Sequence, residues 1–417
     1  MHWPLRGAAY TNEVGEAYAY KADTTAYRNV LDLMLEDSEE SIISFAKGFF
    51  RHYTFRNGID NVIALLYSLD IKKYETVIVI PITVAPCACQ RMWDYIKTLP
   101  NHIQKEYWTN LNVGIIYEEN AGFIVKKMIE YKRFDRALDI IYHSSHKNVQ
   151  FDTTIIEETI IGIIKASDSN LFSRMQYELA KVVYLLDKRE DANLQTLYSI
   201  EVLLYRLLEH HGNINDTKFI KEIMSNPESL MEIIDKTYLS SDENERAVEI
   251  EQVKNDNSYA LLGWHIFYTL RQTPFVDSNN TIDEVAINNY IDQLQTLGNT
   301  KHKIKGVNTV IGELLGNYPE TEDYPSIPIC DIIERLNNKE VNNGFRTRLY
   351  NKRGVTVRPA YEGGTLEKNE ADKYKKYADK IRYTHPIVCS IFDDLSRDYY
   401  QIAKNEDIRV KIEKMEF

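Results

Sequence analysis

Apolar residues recur at three- and four-residue intervals along most of this chain, a spacing that predicts α-helix from end to end. Ala26 to Leu35 and Asn61 to Leu69 each show one apolar face. Further helices are predicted over Thr154 to Lys165, Leu171 to Leu186, Leu194 to Glu209, Asp216 to Met224, Leu230 to Tyr238 and Ser258 to Leu270. Start signals support the reading. Asp37 with Glu40 has capping-box spacing before Ile42, Ile43 and Phe45, and Thr281 with Glu284 repeats it before Val285, Ile287, Ile291 and Leu294. Ser225-Asn226-Pro227-Glu228 combines a cap residue with proline in a first turn. Thr76 to Pro86 is β-branched enough for a strand, but Pro81 in its middle favours a buried helix interrupted by proline.

Phe123 to His143 reads as two helices broken near Tyr131-Lys132-Arg133, with Ala137 where the helices must approach closely. Such a pair cannot bury its apolar face alone and must stack on neighbours, which suggests a helical-repeat array. No fixed period aligns, so the expected fold is all-α, a degenerate α-solenoid. Its end is a helical hairpin: Ala371, Tyr374, Ala378 and Ile381 form one stripe, His385-Pro386 breaks the chain, and Val388, Ile391, Leu395, Tyr399 and Ile402 form the other. Linkers are expected at His211 to Asp216, at the acidic stretch Ser240 to Asn257 and at Asn317 to Ser326, with a loop at Pro274 to Asn280. The expected divisions are an array over 1–245, a second helical segment over 246–340, and a basic loop with the hairpin over 341–417.

Composition supports helices. Only 17 glycines and 11 prolines punctuate 417 residues, fewer turn residues than a strand-rich fold requires. With 62 Asp plus Glu against 50 Lys plus Arg, polyphosphate is repelled except at local basic patches, which disfavours nucleic acid as a partner. No apolar run is long enough to cross a bilayer, and Met1-His2-Trp3-Pro4 lacks the zones of a signal peptide, so a cytoplasmic protein is expected. Cys87, Cys89, Cys330 and Cys389 read as reduced thiols. Cys87, Cys89 and His102 give three soft ligands without a fourth, so no metal is expected. His143 and His146, at i and i+3, fit the end of a helix. The tyrosines, Tyr184, Tyr205 and Tyr268 among them, fall at core or half-buried helical positions. No phosphate-binding G-x-x-x-x-G-K-[ST] loop occurs, and no cofactor is expected.

One segment departs from this background. Gly344 to Gly364 reads GFRTRLYNKRGVTVRPAYEGG and carries Arg346, Arg348, Lys352, Arg353 and Arg358 with no acid before Glu362. Gly354 and Gly363-Gly364 suggest a loop, and an extended Phe345 to Leu349 would turn Arg346 and Arg348 the same way. The candidate binding residues are therefore Arg346, Arg348, Asn351, Arg353, Arg358 and Glu362, since guanidinium forks suit carboxylate or phosphate. The same arginines have a second use available: to latch the hairpin internally through Glu362, Glu367 and Glu370.

Three blocks together resemble a known group. They are Trp93-Asp94-Tyr95-Ile96 with Thr98-Leu99 and Tyr107-Trp108; Ile311-Gly312-Glu313-Leu314-Leu315 with Pro319, Pro325 and Asp331-Ile332-Ile333-Glu334; and Gly344-Phe345, Asn351, Arg353-Gly354, Arg358 and Glu362-Gly363-Gly364 with Ala371, Tyr374, Ala378 and Pro386. From about Trp93 onward the chain resembles the C-terminal helical region of large, mostly uncharacterised bacterial proteins of conflict and anti-phage loci. The resemblance implies a non-catalytic scaffold or sensor that binds a protein. That partner would be an effector or NTPase module, in trans or on the same longer polypeptide, or a phage protein. The alternative is a dimeric ribonuclease: Arg206 to His211 is similar to the Arg-x4–6-His motif of the HEPN family, though Leu207 stands where that family has a polar residue. Arg136 to His143 repeats the spacing.

Overall fold

The computed structural model describes residues 11–85, 89–111, 120–166, 169–354, 359 and 362–413. It is all-α, as the periodicity predicts; among the described residues the single β-bridge joins Val276 and Ile282. The chain forms two compact units, Met1–Gly212 and Asn213–Phe417, so the division falls in the 211–216 linker and not near residue 245.

The first unit contains α1 (Thr11–Ala19), α2 (Thr24–Glu36), α3 (Glu40–Asn57), α4 (Ile59–Tyr67), α5 (Ile71–Tyr74), α6 (Val79–Val84), α7 (Gln90–Lys97), α8 (Asn101–Asn110), α9 (Ala121–Glu130), α10 (Phe134–Ser145), α11 (Thr153–Ala166), α12 (Ser169–Arg174), α13 (Gln176–Asp187), α14 (Leu194–Leu203) and α15 (Tyr205–His211). Neighbours in sequence are neighbours in space: α9 packs on α8, α10 and α11, and α13 packs on α10, α11, α14 and α15. Pro81 sits in the first turn of the short helix α6, with Val79 and Ile82 buried beside it. Lys132, at φ +57°, makes the break between α9 and α10 and lets fully buried Ala137 face the pair. The rings of buried Trp93 and Trp108 and half-buried Phe123 meet tilted or edge-on, with centroids 4.5–6.3 Å apart.

The second unit contains α16 (Lys218–Ser225), α17 (Pro227–Thr237), α18 (Glu243–Asn255), α19 (Ser258–Thr269), α20 (Glu284–Thr300), α21 (Ile304–Gly316), α22 (Ile327–Leu336), α23 (Lys339–Lys352), α24 (Thr365–Ile381) and α25 (Pro386–Glu413). The predicted hairpin is α24 with α25. Its two stripes are buried, except that Ala403 replaces half-buried Ile402 at the end of the second. Glu334 on α22 accepts from the N–H groups of Ile387 (2.7 Å) and Val388 (3.1 Å), placing a carboxylate at the start of α25, where free amides and the helix dipole favour it.

Caps differ from the predicted ones in identity more than in position. Asp37 ends α2 and accepts from Glu39 N–H, so it does not cap α3. Asn226, not Ser225, caps α17, with Pro227 in its first turn; Asp283, not Thr281, caps α20. For α17 and α20 the winning residue stands immediately before the first helical turn, where its side chain reaches the N2 or N3 amide. The acidic stretch expected as a linker is largely the helix α18, capped by Asp242 and burying no residue.

Candidate functional site

The basic segment is mostly helix. Asn338 accepts from the Glu340 and Val341 amides (2.9 and 3.2 Å) and starts α23, which runs without a break to Lys352. Gly344 is an interior position where α23 crosses α21: a Cβ there would lie 2.1 Å from the Thr309 carbonyl oxygen. One on Gly312 would lie 2.0 Å from that of Val341. Gly354, at φ +67°, follows the C-cap Arg353, the usual place for a left-handed glycine.

Because the segment is helical, Arg346 and Arg348 point about 200° apart and not the same way. Arg346 pairs with Asp398 on α25 at a half-exposed position. Arg348 is buried and donates to the carbonyls of Phe267 and Tyr268 (3.0 Å to Tyr268), in the last turn of α19, with Glu313 at 3.8 Å. Burial pushes the Glu313 carboxyl up and the Arg348 guanidinium down, each the result of moving charge out of water. Arg353 donates to Glu367 at 2.8 Å, where the carboxylate is 1% exposed, and lies over the Tyr399 ring at 5.5 Å. Lys352 donates to the Tyr318 carbonyl. Asn351 is exposed on α23 and Glu362 is half-buried at the turn before α24, while Arg358 lies outside the described residues. Among the described residues, the predicted ones do not converge on one cleft.

A recurrent device explains where these cations go. A buried or half-buried base reaches from one helix to the open carbonyls at the end of another, where orphan acceptors and the negative end of the dipole wait. Arg133 does so at the end of α8, donating to Trp108 (3.0 Å) and Leu111 (2.7 Å). Lys181 reaches His211 at the end of α15 (3.1 Å). Lys303, 2% exposed, reaches Asp235 (3.1 Å) and Tyr238 (2.6 Å) at the end of α17 and pairs with Glu249 of α18 at 2.6 Å.

Among the described residues, the other predicted sites are not assembled within the chain. Arg206 is exposed and His211 half-buried, five positions and so about 140° apart around α15. The His211 ring packs against Tyr177 and His210. His143 pairs with Asp139 one turn back at 3.2 Å, and His146 follows the end of α10. Cys89 is half-buried ahead of α7, and Cys87 lies outside the described residues. Among the described residues no group of three or more His, Cys, Asp or Glu is placed to hold a metal ion. No described helix is long and apolar enough to cross a membrane.

One surface went unread. The helix α19, SYALLGWHIFYT, is apolar over most of its circumference, its polar side chains Ser258, His265 and Thr269 sharing one arc of about 40°. Gly263, Ile266 and Phe267 face the core; Gly263 leaves room for Thr237 of α17, whose hydroxyl would stand 1.9 Å from a Cβ. The opposite side carries Leu261, Trp264 and Tyr268, which lie within about 60° of one another around the helix and are 52%, 49% and 60% exposed. Tyr268, expected at a core or half-buried position, is therefore a surface residue. Arg271 lies over the ring of Tyr268 at the stripe's C-terminal end, and Lys236 over that of exposed Tyr259 in the helix's first turn. A signal was present in the sequence: an apolar arc wider than one core contact covers, with Ser258, His265 and Thr269 as the only polar side chains of the helix besides the tyrosine hydroxyls and the indole. Comparisons with known proteins give no matching family model, no matching curated relative and no matching solved structure.

Proposed function

We propose that this protein is a non-catalytic helical scaffold or sensor, a degenerate helical array that binds a protein partner in a bacterial anti-phage defence-type assembly. The observation that carries the binding reading is the stripe Leu261–Trp264–Tyr268. An apolar aromatic row turned to solvent, on a helix whose other side already serves the core, is the feature by which interaction surfaces stand out. Trp and Tyr are also the side chains that most often dominate binding energy when a partner covers them. The setting in defence, and a cytoplasmic location, rest on the resemblance of the three sequence blocks to conflict-locus proteins. The basic segment, the first candidate for a ligand site, supports this reading differently: Arg348 holds the end of α19 and so fixes the helix that presents the stripe.

The test is Trp264→Ser combined with Tyr268→Ser. Both side chains are largely exposed (49% and 60%), so circular dichroism and melting should match the unaltered protein. In the cell that encodes the protein, cross-links to its partner and protection against phage should be lost together. A variant that keeps both would remove the stripe from the function.

A further inference from the structure

The helix before the stripe is held to the fold by one side only. On α18, Glu245 accepts from Ser240 (2.7 Å) and pairs with His302 (3.1 Å), and Glu249 pairs with Lys303 (2.6 Å). About 150° around the helix from these anchors lie Glu243, Ala247, Ile250 and Lys254, which share an arc of about 60°. All four are exposed, and neither Glu243 nor Lys254 has an ion-pair partner among the described residues. Their spacing of four, three and four residues is that of the alternating a and d positions of a coiled-coil seam. A small residue and a branched apolar one occupy its middle, with an acid at one end and a base at the other.

We propose that this face binds a second copy of the same chain, the two α18 helices lying antiparallel. Reversal sets Glu243 opposite Lys254 of the second copy at both ends, and Ala247 opposite Ile250 twice in the middle. A parallel arrangement would instead oppose like charges at each end, so the charges select the orientation. The flanking positions agree with it: Arg246 meets Val253 of the second copy and Asn244 meets Glu251, which opposes no like charges. The seam is about 16 Å long, three turns of helix, and its association is weak and salt-sensitive. The α19 stripe lies outside this seam, so the pairing does not depend on the stripe's role.

Sedimentation equilibrium of the full chain tests this at up to about 200 μM, where a complex with a mid-micromolar Kd forms. The unaltered protein should show a monomer–dimer equilibrium that shifts toward monomer as salt is raised. Glu243→Lys alone and Lys254→Glu alone should each sediment as monomer, because each reversal opposes like charges at both ends. An equal mixture of the two variants should associate again, since every end pair then has opposite signs. Both sites are exposed, and circular dichroism of each variant should match the unaltered chain. Trp264→Ser with Tyr268→Ser should leave the equilibrium unchanged, which separates this pairing from partner binding at the stripe. A monomer at every concentration overturns the proposal. So does a dimer that survives either single reversal, or a mixture that fails to associate.

Discussion

At the scale of single residues, the arginines of α23 divide by burial, and burial sets what each is worth. Arg348 stands between the last carbonyls of α19 and the buried carboxylate of Glu313. Replacing it with methionine keeps much of the volume and removes the cation, leaving acceptors and a carboxylate in a low-dielectric site. The expected loss is about 3–5 kcal/mol, read as a lower urea midpoint. Adding Glu313→Leu should return part of that loss; no recovery would mean the carbonyl contacts dominate. Arg353→Ala takes away the cation beside Glu367 and should cost about 3 kcal/mol. Arg346→Ala, at a half-exposed pair, should cost under about 1 kcal/mol. Denaturation of the two variants side by side checks the order. Equal, negligible losses would mean that the segment does not latch the unit. The basic composition of this stretch and its nearby latch acid Glu367 were legible in the sequence, whereas Phe267, Tyr268, Glu313 and Asp398 are brought in by tertiary packing that no local pattern announces.

At the scale of elements, helix positions followed from periodicity, and the main error came from reading glycine only as a turn residue. Gly344, the first residue of the segment expected as a loop, lies inside α23 where α21 crosses, as Gly312 does on the facing helix. A glycine within a helical pattern and without turn partners marks a close approach as readily as a bend. Gly312→Ala makes the distinction measurable. Alanine favours a helix by about 1 kcal/mol over glycine, but its Cβ would meet the Val341 carbonyl at 2.0 Å. A net loss of about 2 kcal/mol is expected; a gain in melting temperature would show that the crossing opens easily. The α24–α25 hairpin carries a pH response of its own. The hydrogen bond from Arg382, with Lys375 alongside, holds the Asp393 carboxyl down at about 2. A carboxyl lower in the folded than in the unfolded chain stabilises above its unfolded value near 4, and that contribution fades as pH falls toward 2. Asp393→Asn should therefore be less stable than the parent at pH 7, with the gap closing across that window in urea titrations. A gap that stays constant would place the effect in packing.

At the scale of the whole molecule, the all-helical class and the terminal hairpin were readable in advance because both depend on local spacing. The exposed stripe was not, because α19 is apolar over most of its circumference and only the fold decides which apolar side meets solvent. The boundary was half-read: the 211–216 linker was recognised by its polar run, but the acidic stretch near 245 drew the division, although its charges anchor α18 through Glu245 to Ser240 and His302 and through Glu249 to Lys303. Each unit has its own buried core, and the clamps around Lys303, Arg348 and Arg353 join residues of the second unit alone. A segment with a complete core and satisfied helix ends folds without the rest of its chain. Residues 213–417 expressed alone should therefore give a helical circular dichroism spectrum and one cooperative urea transition. Arg348→Met should shift that transition by the same amount as in the full chain, since all the partners it loses are present. A fragment that lacks a cooperative transition, or one in which Arg348→Met has no effect, would show that the second unit draws its stability from the first.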